Sequence, residues 1–207
     1  MQIEIIVAYI AATVSITTLI VSALQYFHTK EIEERKEKKI IISQRLNEFY
    51  GPVTAYLNLS TSLYVIFKSN KPKKFRLIPF LLDPNQEYDG GIKVELNNAD
   101  DKLILEIIDV CKKIEDLILL KSGLIDDEIL THNYIGNEKY LFPDEEVEKL
   151  GLLSILLMNF RVLRMVFDGK LNENNYDKEK LNRFIFPDKI HDELARKIKS
   201  LQSELNN

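Results

Sequence analysis

Side chains that carry chemistry are few in this chain and lie far apart. Its three histidines are His28, His132 and His191, and its single cysteine is Cys111. Histidines this distant in sequence do not indicate a catalytic or metal-binding cluster, and one cysteine excludes a disulfide framework and multi-cysteine zinc sites. The glycine-rich phosphate loop, the nucleophile elbow, the zinc-protease motif and the kinase signature are all missing from the sequence. We therefore expect no enzyme, no cofactor and no metal.

One arginine–histidine pair deserves comparison with the α-helical ribonucleases of the HEPN class, which place these two residue types four to six residues apart on one helix. Here seven residues separate Arg183 from His191, and Pro187 falls between them. Because proline breaks a helix interior, one helix should not hold both groups. We expect His191 to be an ordinary polar residue near the start of the last helix, and a membrane-bound ribonuclease is the third-ranked hypothesis.

A basic cluster surrounds Phe75 and comprises Lys68, Lys71, Lys73, Lys74 and Arg76. Lys71, Lys73, Lys74 and Arg76 are the best candidates for contact with phosphate or lipid headgroups. The alternative is a solvated loop. No base-reading motif accompanies the cluster and the net charge is −4, so we expect no direct sequence-specific binding of nucleic acid.

The strongest pattern lies at the N-terminus, where 23 consecutive residues from Ile5 to Phe27 carry no charge. About 20 helical residues cross the hydrocarbon core of a bilayer, so this run predicts a transmembrane helix. Lysines and arginines follow the run and none precedes it, which predicts an inner-membrane protein with its N-terminus outside and its C-terminal part in the cytoplasm. A cleaved signal peptide would have a positive leading region and a shorter apolar core.

Small and polar residues recur along this span with alternating steps of four and three residues. The repeat places them on one helix face, a polar seam formed by Glu4, Ala8, Ala11, Ser15, Thr18, Ser22, Gln25 and Thr29. In lipid, helices associate through small residues and side-chain hydrogen bonds. We expect Ala8, Ala11, Ser15, Thr18, Ser22 and Gln25 to join copies of the chain in a homo-oligomer or to line a water-filled pore; a chance pattern is the remaining alternative.

Charged residues dominate the segment that follows, 30–50, where Glu31 with Arg35 and Glu34 with Lys38 are spaced as helical ion pairs. The segment reads as a juxtamembrane helix that ends at a break at Gly51 and Pro52. The sequence thus divides into a transmembrane helix at 1–29, a charged helix at 30–50 and a cytoplasmic domain at 51–207.

Helical periodicity pervades the cytoplasmic domain. Helices are predicted over 52–69, from Asn97 to Gly123, from Pro143 to a cap at Gly169, and from Pro187 to Leu205. The only hint of a strand is at 92–96. We therefore predict an all-α protein, in which a single N-terminal transmembrane helix continues into a cytoplasmic bundle of four or five helices.

This arrangement, with the string Glu48-Phe49-Tyr50-Gly51-Pro52 after the charged helix, resembles small bacterial single-pass membrane proteins that act as effectors in phage defence. It is also similar to the membrane accessory proteins of Cas13b CRISPR systems, which join one span to a divergent HEPN-like domain. The resemblance implies oligomerisation, perturbation of the inner membrane and an antiviral role.

Three functions follow as hypotheses. The first is a self-assembling membrane-perturbing or pore-forming effector in antiviral defence, controlled by its cytoplasmic helical domain. The second is a membrane-tethered adaptor or scaffold, with a cytoplasmic protein or nucleoprotein as its partner, and the third is the ribonuclease.

Overall fold

The protein is mostly helical and all-α in class, and its described residues include one short strand pair. The structure, a computed structural model, describes residues 2–88, 90–132, 150–171 and 186–206, and for 3–14 it describes the backbone alone. The described chain divides into two compact units, Met1–Ser43 and Gln44–Asn207.

Seven α-helices, α1 to α7, run through the described residues in chain order. They are α1 (Gln2–Arg45), α2 (Gly51–Lys68), α3 (Leu77–Leu82), α4 (Asn98–Leu120), α5 (Glu128–Thr131), α6 (Leu152–Phe167) and α7 (Ile190–Asn206). A two-residue antiparallel pair, β1 (Glu87–Tyr88) and β2 (Ile92–Lys93), lies between α3 and α4. The hint of a strand at 92–96 corresponds to β2, which covers Ile92–Lys93 alone.

The predicted break at Gly51 and Pro52 is a widened helical turn. Leu46–Tyr50 forms a π-helix, in which the Gly51 N–H donates to the Leu46 carbonyl five residues earlier. Proline has no N–H and crowds the carbonyl four residues before it, and a π-turn relieves both problems without ending the helix. A Cβ on residue 51 would lie 2.8 Å from the Leu46 carbonyl oxygen, so this turn requires glycine.

Helix α4 begins where its sequence predicts. The Asn97 side chain accepts hydrogen bonds from the N–H groups of Ala99 and Asp100, and the Asp100 carboxylate accepts one from the Asn97 N–H. This reciprocal capping box satisfies backbone donors that the first helical turn leaves open. The sequence prediction of a helix starting at Asn97 is confirmed.

Helix α6 starts later than the sequence predicts. Gly151 is extended and precedes the first helical residue, Leu152, so no continuous helix runs through this position; the predicted start at Pro143 lies outside the described residues. Glycine costs a helix about 1 kcal/mol relative to alanine, and position 151 follows an isolated bridge between His132 and Leu150. At the other end Gly169, at φ +70°, forms the predicted cap.

The core of the second unit lies between α2, α4 and α6. Helix α2 packs most extensively against α4, which also packs against α6. Their facing side chains are almost fully buried, among them Leu57, Ile104, Ile114, Leu152 and Leu156. Phe49 and Tyr50 of the π-turn are fully buried as well.

Two acids between α4 and α5 join distant segments of this unit. Asp126 accepts contacts from Arg45 at 2.6 Å, the Tyr50 hydroxyl at 2.9 Å and Lys197 at 3.0 Å. Asp127 caps α5 and pairs with Arg196 at 2.7 Å. These contacts tie the π-turn and α7 to the loop before α5.

Candidate functional site

The described half of the predicted seam lies on one exposed helix. Ser15, Thr18, Ser22 and Gln25 are all exposed residues of α1. Their spacing of three, four and three residues puts them on a common face. Ala8 and Ala11 belong to the same helix, but their side chains lie outside the described residues.

Large apolar side chains are exposed beside the seam. Ile16, Leu19 and Leu24 are 58%, 70% and 64% exposed, and further exposed members are Ile20, Val21, Tyr26 and Phe27. Contiguous exposed apolar surface usually marks contact with a partner or a membrane. Among the side chains that the structure describes, which exclude those of 3–14, no helix is long and apolar enough to cross a membrane.

The predicted basic cluster is divided by its own fold. The Phe75 ring is fully buried and packs against the rings of Phe67, Phe80 and Tyr88 at centroid distances of 5.3–5.7 Å. Lys73, Lys74 and Arg76 flank it as exposed residues. Their contact with phosphate or lipid headgroups stays a prediction.

Lys71 has a different environment from its neighbours. Its side chain is 5% exposed, and its ammonium lies 2.8 Å from the Asp100 carboxylate and 5.5 Å from the centre of the Phe67 ring. Burial raises the pKa of Asp100, but the hydrogen bond from Lys71 and that from the Asn97 N–H outweigh it, so the pKa is lowered. Lys71 therefore holds the basic segment to the start of α4.

A cavity of about 470 Å³ lies within the second unit. Helices α2, α3, α4 and α6 and the segment leading into α7 all contribute to its wall. Its apolar wall is formed by Leu77, Ile78, Pro79, Ile107, Phe160, Leu163 and Phe186, and its polar lining by Ser60, Thr61, Tyr64, Lys68, Arg76, Cys111, Asn159, Asp188 and His191. This size and composition are typical of a small-molecule site.

At one end of the cavity, polar groups pair with each other. The Thr61 hydroxyl lies 3.3 Å from His191 Nε2, and the Ser60 hydroxyl lies 3.8 Å from the Cys111 sulfur. Burial raises the pKa of the Cys111 thiol to about 12, in spite of the Ser60 contact. The thiol is therefore protonated at neutral pH and is a poor nucleophile, as its apolar helical position predicts.

Positive charge lies elsewhere along the cavity. Lys68 and Arg76 both line it, and Arg76 is one of the four residues predicted to contact phosphate or lipid. Burial raises the pKa of the Tyr64 hydroxyl, and the charge of Arg76 partly opposes that rise. Arg76 therefore acts on the same part of the cavity as Tyr64.

Of the arginine–histidine pair compared with the HEPN ribonucleases, the structure describes only His191. His191 lies in the first turn of α7, which begins at Ile190, after Pro187. Its ring contacts Phe186 at a centroid distance of 6.0 Å. Arg183 lies outside the described residues. Within the described ranges, no group of three or more histidine, cysteine, aspartate and glutamate side chains could hold a metal.

The sequence pattern indicates the seam residues, but it does not indicate the cavity. The seam residues follow one helical repeat, whereas the cavity combines five segments spread from Ser60 to His191. The only local sign is the spacing of Ser60, Tyr64 and Lys68, which predicts a shared face of α2. No protein-family model, curated protein or solved structure matches this chain.

Proposed function

We propose that this protein is a single-pass bacterial inner-membrane protein that self-associates through α1. Its N-terminus lies outside and its second unit, Gln44–Asn207, lies in the cytoplasm. The observation that carries the proposal is the run of exposed apolar side chains between Ile16 and Phe27. This run belongs to the uncharged sequence from Ile5 to Phe27, which is long enough to cross a bilayer.

Self-association follows from the chemistry of the two faces of this span. Aliphatic side chains suit lipid tails, whereas a face of small side chains lets two helix backbones approach closely. The seam through Ser15, Thr18, Ser22 and Gln25 therefore meets a second copy of the same helix. Lysines and arginines after the span, from Lys30 onwards, hold it in the stated orientation.

Regulated perturbation of the membrane is the mechanism we assign to the assembly. Seams of several copies facing one another enclose a polar path, while the aliphatic side chains face lipid. The cytoplasmic unit receives the signal that controls this state. The antiviral role is supported only by the resemblance to single-pass effectors of phage defence.

The test replaces three seam residues with leucine: Ser15→Leu, Thr18→Leu and Ser22→Leu. We expect the triple variant to lose its oligomeric mass in detergent and to stop ion leakage from cells that express it, because leucine prevents close approach and removes the hydroxyl groups. The matched control carries Ile16→Leu, Ile20→Leu and Val21→Leu, which add no bulk to the seam. A triple variant with the mass and leakage of the wild type would overturn the proposal.

A membrane-tethered adaptor is the second candidate, and the separate core of Gln44–Asn207 favours it. An adaptor needs the span only as an anchor. Exchanging 1–29 for an unrelated span would preserve the function of an adaptor but abolish leakage by a seam-dependent assembly. Cell survival and leakage, measured on the same exchange variant, separate the two functions.

A further inference from the structure

We infer that the cavity of the second unit binds a single-chain amphipathic anion, with its headgroup at Lys68 and Arg76 and its apolar chain between α2 and α6. The inference goes beyond the proposed function and does not depend on it, because every lining residue belongs to Gln44–Asn207. A free fatty acid and an alkyl phosphate ester share this chemistry.

The order of side chains along α2 indicates which end of the ligand is charged and where that end lies. Ser60, Tyr64 and Lys68 all line the cavity at intervals of four residues. Eight residues of helix rise by about 12 Å, so the cationic end lies about that far along α2 from the paired hydroxyl end. A ligand that uses the whole length is elongated and charged at one end.

The charge at that end favours an anion. Lys68 and Arg76 supply two positive charges, and Asp188 supplies one negative charge to the lining. Arg76 is exposed and Lys68 is half-buried, so both keep access to water while they contact a headgroup. Charge-assisted hydrogen bonds from such groups suit either a carboxylate or a phosphate.

The apolar part of the cavity wall suits an apolar ligand body. Leu77, Ile78, Phe160 and Leu163 present hydrocarbon or ring carbons to the cavity. The hydroxyl groups at the far end already have partners, Thr61 with His191 and Ser60 with Cys111. An aliphatic chain therefore leaves these two pairs intact, and it is the burial of polar groups without a partner that is usually costly.

The volume indicates how much of a chain the cavity can hold. At ~30 Å³ for each water-sized group, a cavity of about 470 Å³ holds roughly fifteen such groups. That corresponds to a chain of about twelve carbons with its headgroup.

The experiment uses the full chain in phosphatidylcholine nanodiscs and a photoreactive diazirine analogue of dodecanoate. After illumination, peptide mass spectrometry locates the labelled residues. We expect label in α2 and α6, and we expect dodecanoate and dodecyl phosphate to compete for it while dodecanol does not. Comparing the two competitors distinguishes a fatty acid from a phosphate ester.

Charge variants test the headgroup contacts. Lys68→Gln and Arg76→Gln should each weaken competition by dodecanoate about tenfold, since a hydrogen bond to a charged group is lost. Lys112→Gln removes an exposed positive charge from α4, outside the cavity lining, and it should have no effect.

A filling variant tests the location without changing charge. Thr61→Trp should exclude the probe from α2 and α6, whereas Ser62→Trp, at an exposed neighbouring position whose hydroxyl bonds the Asn58 carbonyl, should leave labelling unchanged. Label confined to 2–45, equal competition by dodecanol, or preferential competition by adenosine monophosphate would each overturn the inference.

Discussion

Helices α1 and α6 are both rich in aliphatic residues, yet they expose them very differently. Leu156 and Leu152 of α6 are completely buried, whereas Leu19 and Leu24 of α1 are 70% and 64% exposed. The side chains are the same, so their surroundings make the difference: α6 lies among α3, α4 and α5. An apolar helix becomes part of a core only when other elements cover it, and otherwise its surface is available to lipid or to another copy.

The same contrast holds for charge. Lys71 and Asp100 form an ion pair with both side chains about 5% exposed, whereas Arg35 and Glu31 on α1 form one at 2.7 Å with side chains 70% and 58% exposed. Burial makes the first pair dependent on its geometry, and water screens the second. The two regions should therefore respond very differently to equivalent substitutions.

The largest expected effect comes from Leu156→Ala. Truncating this fully buried side chain should lower the free energy of unfolding of the second unit by about 2–5 kcal/mol, from lost burial and a residual cavity. The rate at which Cys111 is alkylated in urea reports this loss of stability, because the thiol is buried and protonated in the folded protein and reacts after unfolding.

The matched control is Leu19→Ala in α1. It should leave the alkylation of Cys111 unchanged, since Leu19 is 70% exposed. An equal loss of stability in both variants would show that α1 contributes to the core of the second unit and would remove the contrast between the helices.

A smaller effect is expected from Lys71→Met. This substitution leaves the Asp100 carboxylate buried, with the Asn97 N–H as its remaining hydrogen-bond donor. It should lower the free energy of unfolding by about 3 kcal/mol at neutral pH. The wild-type contribution of Asp100 is present above its unfolded pKa and is lost as the pH falls through its lowered folded pKa. The difference in the free energy of unfolding between the variant and the wild type should therefore become smaller below about pH 4.

Lys73→Met is the control for charge and side-chain size within the basic segment. It should change the midpoint of urea unfolding little at pH 7 or at pH 3, because Lys73 is exposed. A gap for Lys71→Met that stays constant between pH 7 and pH 3 would show that packing of the lysine stem, rather than the ion pair, stabilises this region.

The smallest effect is expected from Arg35→Gln. Exposed ion pairs four residues apart stabilise a helix by no more than about 0.5 kcal/mol. Amide hydrogen exchange across 31–39 should rise slightly at low salt, and 1 M salt should erase the difference. Arg35→Lys should behave as the wild type; a loss of several kcal/mol would instead indicate that this surface is covered.

Local sequence patterns located most of the helices. The capping box at Asn97 and Asp100 and the cap at Gly169 are confirmed because they depend on residues within four positions of each other. The sequence prediction was wrong where the same local residues are compatible with more than one backbone structure. Gly51 and Pro52 produce a π-turn rather than a break, Gly151 interrupts the helix predicted up to Gly169, and the short α3 lies in a segment for which no helix is predicted.

The candidate site divides in the same way. The seam can be read from the sequence because its members share one continuous helix and one repeat. The cavity cannot, because Tyr64, Arg76, Phe160 and His191 come together only when α2, α6 and the start of α7 pack. The spacing of residues within one segment cannot predict contacts between segments that are distant in the sequence.

By itself, then, the sequence determined where most of the helices lie, the caps at Asn97 and Gly169, and that the first long helix carries an apolar surface with a polar face. Only the tertiary structure decided that Lys71 is buried on Asp100, 29 residues away, while Lys73 and Arg76 remain exposed. The physical reason is range: capping and helical periodicity act over a few residues, whereas burial depends on which distant element covers a side chain.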